Sequence, residues 1–110
     1  MDNPKQATQD LAATYAKQGK PNGWFEEFYA RAGGDINKIY WADLKVNPLL
    51  VNWVEQHPLS TQKKAIIIGC GLGDDAEFLA LAGYKVIAFD ISASAIKMCK
   101  QHYPQSQVSY

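Results

Sequence analysis

The sequence predicts an α/β fold built on a doubly wound parallel sheet, and three observations carry that prediction. Ala65-Ile66-Ile67-Ile68 is a short apolar run without polar alternation, the pattern of a strand covered on both faces by helices. It runs straight into Gly69-Cys70-Gly71-Leu72-Gly73-Asp74-Asp75, where missing side chains let the backbone turn tightly and approach a ligand closely. A second apolar run, Val86-Ile87-Ala88-Phe89, ends on Asp90. That acid follows the first glycine by about twenty residues, the position at which such folds place a carboxylate that accepts hydrogen bonds from a ribose diol.

The elements follow in order. Lys5 to Gln18 carries Ala7, Leu11, Ala12 and Tyr15 at helical spacing and stops at Gly19-Lys20-Pro21, so it reads as an amphipathic helix. Beyond Asn22-Gly23, Trp24, Phe25, Phe28 and Tyr29 form an aromatic stripe on a second helix that ends at Gly33-Gly34, a pattern that usually packs in a core. Asp35 to Val46 lacks periodicity and reads as a loop with a short turn. Asn47 as N-cap and Pro48 at the first helical position start a third helix, which His57-Pro58 ends; His57 is a boundary residue there, not a catalyst.

After the polar linker Leu59 to Lys64 and the first strand, Asp74 to Ala82 reads as a helix with acids at its positive end and Gly83 as its stop. One of Asp74 and Asp75 is expected to cap this helix and the other to face the ligand. Following Asp90, Ser92 or Ser94 caps a helix running to about His102, with Ile96 and Cys99 toward the sheet, before Pro104 blocks continuation. Gln107 to Tyr110 opens a third strand.

The glycine spacing discriminates between ligands. A dinucleotide fingerprint needs its third glycine three positions after the second, whereas Gly73 follows Gly71 by two and is followed by Asp74 and Asp75. A pyrophosphate on this helix start would meet two carboxylates, each costing about 0.3–1 kcal/mol. A phosphate-free ligand with an ammonium and a sulfonium escapes that cost, and S-adenosylmethionine is such a ligand.

On Ile68-Gly69-Cys70-Gly71-Leu72-Gly73-Asp74-Asp75-Ala76 and Val86-Ile87-Ala88-Phe89-Asp90-Ile91-Ser92, the sequence resembles the class I S-adenosylmethionine-dependent methyltransferases, from about Trp24 onward. Most members carry an acid two positions before the first glycine; Ile67 stands there instead, which removes one water-mediated contact to the cofactor's amino group. The thiopurine and thiol/halide methyltransferase branch shares that departure and an upstream stretch like Trp41-Ala42-Asp43-Leu44-Lys45-Val46-Asn47-Pro48-Leu49-Leu50.

The resemblance implies a Rossmann-like domain beginning at residue 64, with residues 1–63 as a helical segment covering the cofactor site. It implies cofactor-binding roles for Gly69, Cys70, Gly71 and Gly73 under the methionine part, Asp74 or Asp75 at its ammonium, Asp90 at the ribose and Ile91 at adenine. Trp41 and Trp24 would close the methionine end. The reaction is direct transfer of a methyl group to a small-molecule acceptor, which requires neither a metal nor a covalent intermediate; no catalytic residue is assigned.

Composition sets the remaining bounds. With 47% hydrophobic and 20% charged residues and no formal net charge, nothing favours nucleic acid or an anionic membrane as partner. The polar start Met1-Asp2-Asn3-Pro4-Lys5-Gln6 is no secretory signal, so the cytoplasm is the default expectation. Cys70 and Cys99 show neither metal-ligand nor disulfide-framework spacing and read as structural thiols.

The resemblance implies a larger sheet, of which strands 1 and 2 and the start of 3 are present, with the ligand crevice between strands 1 and 4. Three readings account for this: a truncated product, a homodimer whose sheets join at the free edge, or completion by a separate chain. A non-catalytic cofactor-binding or dimerisation module is the alternative in function, and a fragment of an NAD-dependent oxidoreductase is disfavoured by the glycine spacing.

Overall fold

The structure, a computed structural model, describes residues 4–39 and 45–110. Trp41 lies outside the described residues. The order is α1 (Pro4–Lys17), α2 (Trp24–Ala32), a 3-10 turn (Ile36–Lys38), α3 (Pro48–Gln56), β1 (Lys64–Ile68), α4 (Asp74–Leu81), β2 (Lys85–Phe89) and α5 (Ala93–His102).

Local chemistry sets most boundaries. Asn47 Oδ1 accepts the Leu49 N–H at 2.9 Å, and Pro48 opens α3 where its missing donor costs nothing. Leu81 ends α4 in a Schellman turn: the Gly83 N–H reaches the Ala80 carbonyl and the Tyr84 N–H the Leu79 carbonyl, both at 3.1 Å. Ser92, not Ser94, caps α5, accepting the Ala95 N–H at 3.0 Å. Ser92→Ala is therefore expected to lower stability by about 1–2 kcal/mol in urea unfolding; an unchanged midpoint would exclude the cap.

β1 and β2 pair in parallel from Lys64↔Lys85 to Ile68↔Phe89. Ser109 bridges Ile87 in the same direction, so β2 lies between β1 and the start of a third strand. Val86 and Ala88 are buried against Ala76 and Leu79 of α4, with Leu50 and Val54 of α3 packed on the same cluster. A second cluster joins α2 to α5 through Tyr29, Ala32, Ala95 and Met98, and takes in Ile39 and Leu72.

Two expectations need correction. β1 is not covered on both faces: Ile66 is 64% and Ile68 78% exposed, and Ile87 and Phe89 beside them are also open. Strand side chains alternate, and α3 and α4 pack on the same face, so the other apolar face has no cover among the described residues. Nor does Ile96 carry the buried face of α5. Ala95, Met98 and Cys99 do, because α2 supplies the apolar partner for the first two. No helix among the described residues is long and apolar enough to cross a membrane.

Candidate functional site

The carboxyl ends of β1 and β2, the glycine loop and α2 enclose a cavity of about 740 Å³. That lies within the range of ~300–1,000 Å³ typical of small-molecule sites. Its floor is Gly69 to Leu72, one wall is Phe89 to Ile91, Phe25 and Tyr29 come from α2, and Asp74, Asp75 and Lys45 contribute charge.

Asp90 ties this site together. Its Oδ2 accepts the Gly71 N–H and its Oδ1 the Ser92 N–H, each at 2.9 Å. A carboxylate offers about four acceptor positions, so each oxygen keeps capacity for one hydroxyl of a vicinal diol. The loop beneath it extends the sheet ladder, since the Cys70 N–H donates to the Phe89 carbonyl at 3.1 Å.

The glycines divide their work. Gly71, at φ +54°, faces the cavity, and a Cβ there would stand 3.4 Å from Tyr29 Oη. Gly73, at φ +87°, is buried behind the loop: a Cβ would overlap Tyr110 Oη and come within 3.2 Å of Cys99 Sγ. It also occupies the N-cap position of α4, so neither Asp74 nor Asp75 caps that helix as expected. A left-handed residue brings the chain into α4 here, which puts both acids inside the first turn.

Both acids line the cavity and brace it. Asp74 Oδ1 accepts the Tyr103 hydroxyl at 3.1 Å, and burial together with the Asp74 charge pushes the Tyr103 pKa up to about 12. Asp75 Oδ1 accepts the Asn47 N–H at 2.9 Å and so holds the start of α3 against the loop. Among the described lining residues Asp74, Asp75 and Asp90 stand against a single ammonium, that of Lys45, an acidic balance suited to a cationic ligand.

A long-range contact positions α2 over this cavity. Glu26 Oε1 accepts the Ser94 N–H at 2.6 Å and the Ser92 hydroxyl at 3.2 Å, while Oε2 accepts the Ser94 hydroxyl at 2.8 Å. Desolvation raises the Glu26 pKa, but these donors outweigh it and hold the carboxyl below its ordinary 4.5. A depressed folded value means the tie is fully present above the unfolded pKa and is lost as the pH falls through the folded one. Glu26→Gln should accordingly be less stable than the parent protein at neutral pH, with the difference shrinking below about pH 4.5 in pH-dependent urea unfolding; a pH-independent difference would exclude this role.

Of the residues singled out in the sequence, Gly69, Cys70, Gly71, Asp74, Asp75, Asp90 and Ile91 meet on the cavity. Gly73 stands behind it. Trp24 does not line it but stacks on Phe25, centroids 3.8 Å apart, which does. Phe25, Tyr29, Phe89 and Glu26 were not anticipated as site residues; the i, i+4 spacing of Phe25 and Tyr29 on one face of α2 was the available signal. No group of three or more His, Cys, Asp or Glu among the described residues is arranged to hold a metal ion.

Comparison with known proteins places the chain in a family. Residues 20–110 match the model of the family described as Thiopurine S-methyltransferase (TPMT). Among curated proteins, the Ubiquinone biosynthesis O-methyltransferase of Azotobacter vinelandii is 38% identical over 64 residues, which cover 58% of this chain and 28% of that protein. Its counterpart in Stutzerimonas stutzeri is 36% identical over 62 residues, covering 56% of this chain and 27% of that protein. For the one in Acinetobacter baylyi the identity is 33% over 66 residues, covering 59% and 28%. The matched region therefore spans less than a third of these relatives' length.

Proposed function

Since the chain belongs to the thiopurine S-methyltransferase family of class I methyltransferases, whose members use S-adenosylmethionine, we propose that its cavity binds this cofactor for methyl transfer to a small-molecule acceptor. The pairing of Asp90 with the Gly71 and Ser92 amides is the observation that supports this best. It sets a charged acceptor for a ribose diol directly against a loop that a methionine tail can cross.

The remaining roles follow from position. Phe89 and Ile91 offer apolar surface to adenine, and the acidic rim of Asp74 and Asp75 suits an ammonium and a sulfonium. Phe25 and Tyr29, fixed by the Glu26 tie, form the cover, which supports the reading of the segment before residue 64 as one that closes over the site through α2. Bound there, S-adenosylmethionine supplies an electrophilic methyl group. The chain's own residues then orient it and exclude water, which is what an in-line displacement requires.

The free edge of β1 is where further strands would pair, and the exposed face of Ile66, Ile68, Ile87 and Phe89 is where the helices that connect them would pack. Strands from outside these 110 residues would pair with β1 and carry the acceptor pocket. A homodimer joined at that edge is the competing arrangement, and a monomeric mass for the folded protein would exclude it.

Calorimetric titration with S-adenosylhomocysteine and, separately, NADH tests the cofactor assignment. Saturable binding of the first without the second is expected. Equal or stronger binding of NADH would overturn it.

A further inference from the structure

The two cysteines converge on one backbone carbonyl in the glycine loop. Cys70, half-buried, is part of the cavity wall, whereas Cys99 on α5 is fully buried behind the loop. Cys99 Sγ lies 3.1 Å and Cys70 Sγ 3.9 Å from the same Gly71 oxygen. One thiol is thus reachable from the mouth of the site and the other is held next to it, out of reach.

We propose that Cys70 is an oxidative modification site, with Cys99 as its resolving thiol, and that the resulting disulfide remodels the glycine loop and closes the cofactor cavity to its ligand. The last step rests on the reading of the cavity as a cofactor site; the first does not.

The chemistry balances with hydrogen peroxide as oxidant. The Cys70 thiolate attacks a peroxide oxygen, an S–O bond forms as the O–O bond breaks, and hydroxide leaves to take up the proton shed by Cys70. The Cys99 thiol then attacks the sulfenic sulfur. An S–S bond forms, the S–O bond breaks, and the Cys99 proton leaves with the hydroxyl as water. Two thiols lose two electrons in total, and one peroxide becomes two waters.

The local environment divides the roles. The neighbouring Cys99 thiol lowers the Cys70 pKa, against opposition from burial and the Asp90 charge. Cys99 is pushed up by that same contact with Cys70 and by burial, so it stays a thiol until the sulfenic acid forms. A disulfide carries no S–H, so neither sulfur could still donate to the Gly71 oxygen, and closing the bond draws the two sulfurs to about 2.05 Å from each other beside it. Displacing that peptide disturbs the adjoining Gly71 N–H bond to Asp90.

The test is peroxide treatment of the purified protein, then non-reducing peptide mapping and amide hydrogen exchange over residues 69–73. A reducible intrachain link between Cys70 and Cys99, with the loss of two hydrogens and faster exchange in the loop, is the expected result. In Cys99→Ser, Cys70 should instead be trapped as the sulfenic acid by dimedone and proceed to the sulfinic acid. Unmodified Cys70 while free glutathione in the same tube is consumed would overturn the proposal. So would links only between chains, or an intrachain link with unchanged loop exchange. Prior addition of S-adenosylhomocysteine should slow the reaction several-fold; if the link forms equally fast at saturation, the cavity's ligand has been misassigned while the oxidation site stands.

Discussion

Asp90→Ala is expected to weaken S-adenosylhomocysteine binding by about a hundredfold or more and to destabilise the protein by about 2–3 kcal/mol. Binding suffers because two charge-assisted hydrogen bonds to the ribose are lost, each worth about 1.5–3 kcal/mol. Stability suffers because the Gly71 and Ser92 amides lose the acceptor that joins β2 to the loop. The bond to Gly71 makes the carboxylate a brace as well as a ribose acceptor. Asp90→Asn separates the two effects. Its carbonyl oxygen can keep one amide bond, so it should recover part of the stability but little of the affinity. Calorimetry and urea unfolding on both variants check this, and an unchanged affinity in Asp90→Ala would refute the ribose role.

Gly73→Ala is expected to have the largest effect on stability, about 2–5 kcal/mol in urea unfolding. At φ +87° an L-residue is strained by about 1–2 kcal/mol. Its Cβ would also overlap Tyr110 Oη and crowd Cys99 Sγ, and overpacking of this kind costs about 1–3 kcal/mol. The Tyr110 hydroxyl cannot retreat freely, since it donates to Glu77 Oε1 at 2.8 Å. Adding Tyr110→Phe removes the overlapping atom. The double variant should therefore be less destabilised than the sum of the two single changes, and simple additivity would show that the overlap is not the cause.

What the sequence made legible is mostly local. Asn47-Pro48, Ser92 and Gly83 each announce a helix end by chemistry acting within a few residues, and the structure uses all three. The glycine loop and Asp90 were legible because one turn and one strand end fix their relation. The open face of β1 was not, because Ile66 and Ile68 are equally apolar whether their cover comes from these residues or from elsewhere. That one of Asp74 and Asp75 caps α4 is the natural reading, because nothing in their identity reveals that the chain arrives through a left-handed Gly73. Phe25 and Tyr29 read as core from the sequence, since an aromatic i, i+4 pair looks the same facing a core or a cavity. Glu26 was out of reach altogether: its partners Ser92 and Ser94 lie 66 and 68 residues away.

That S-adenosylmethionine or its product sits between the glycine loop and Asp90 is tested most directly by mapping backbone amide shifts as S-adenosylhomocysteine is added. The largest shifts are expected at Gly69 to Leu72 and Asp90 to Ser92, with smaller ones at Phe25 and Tyr29. Shifts confined to the groove between α1 and α2 around Leu11 and Phe28, or none at a saturating concentration, would contradict it.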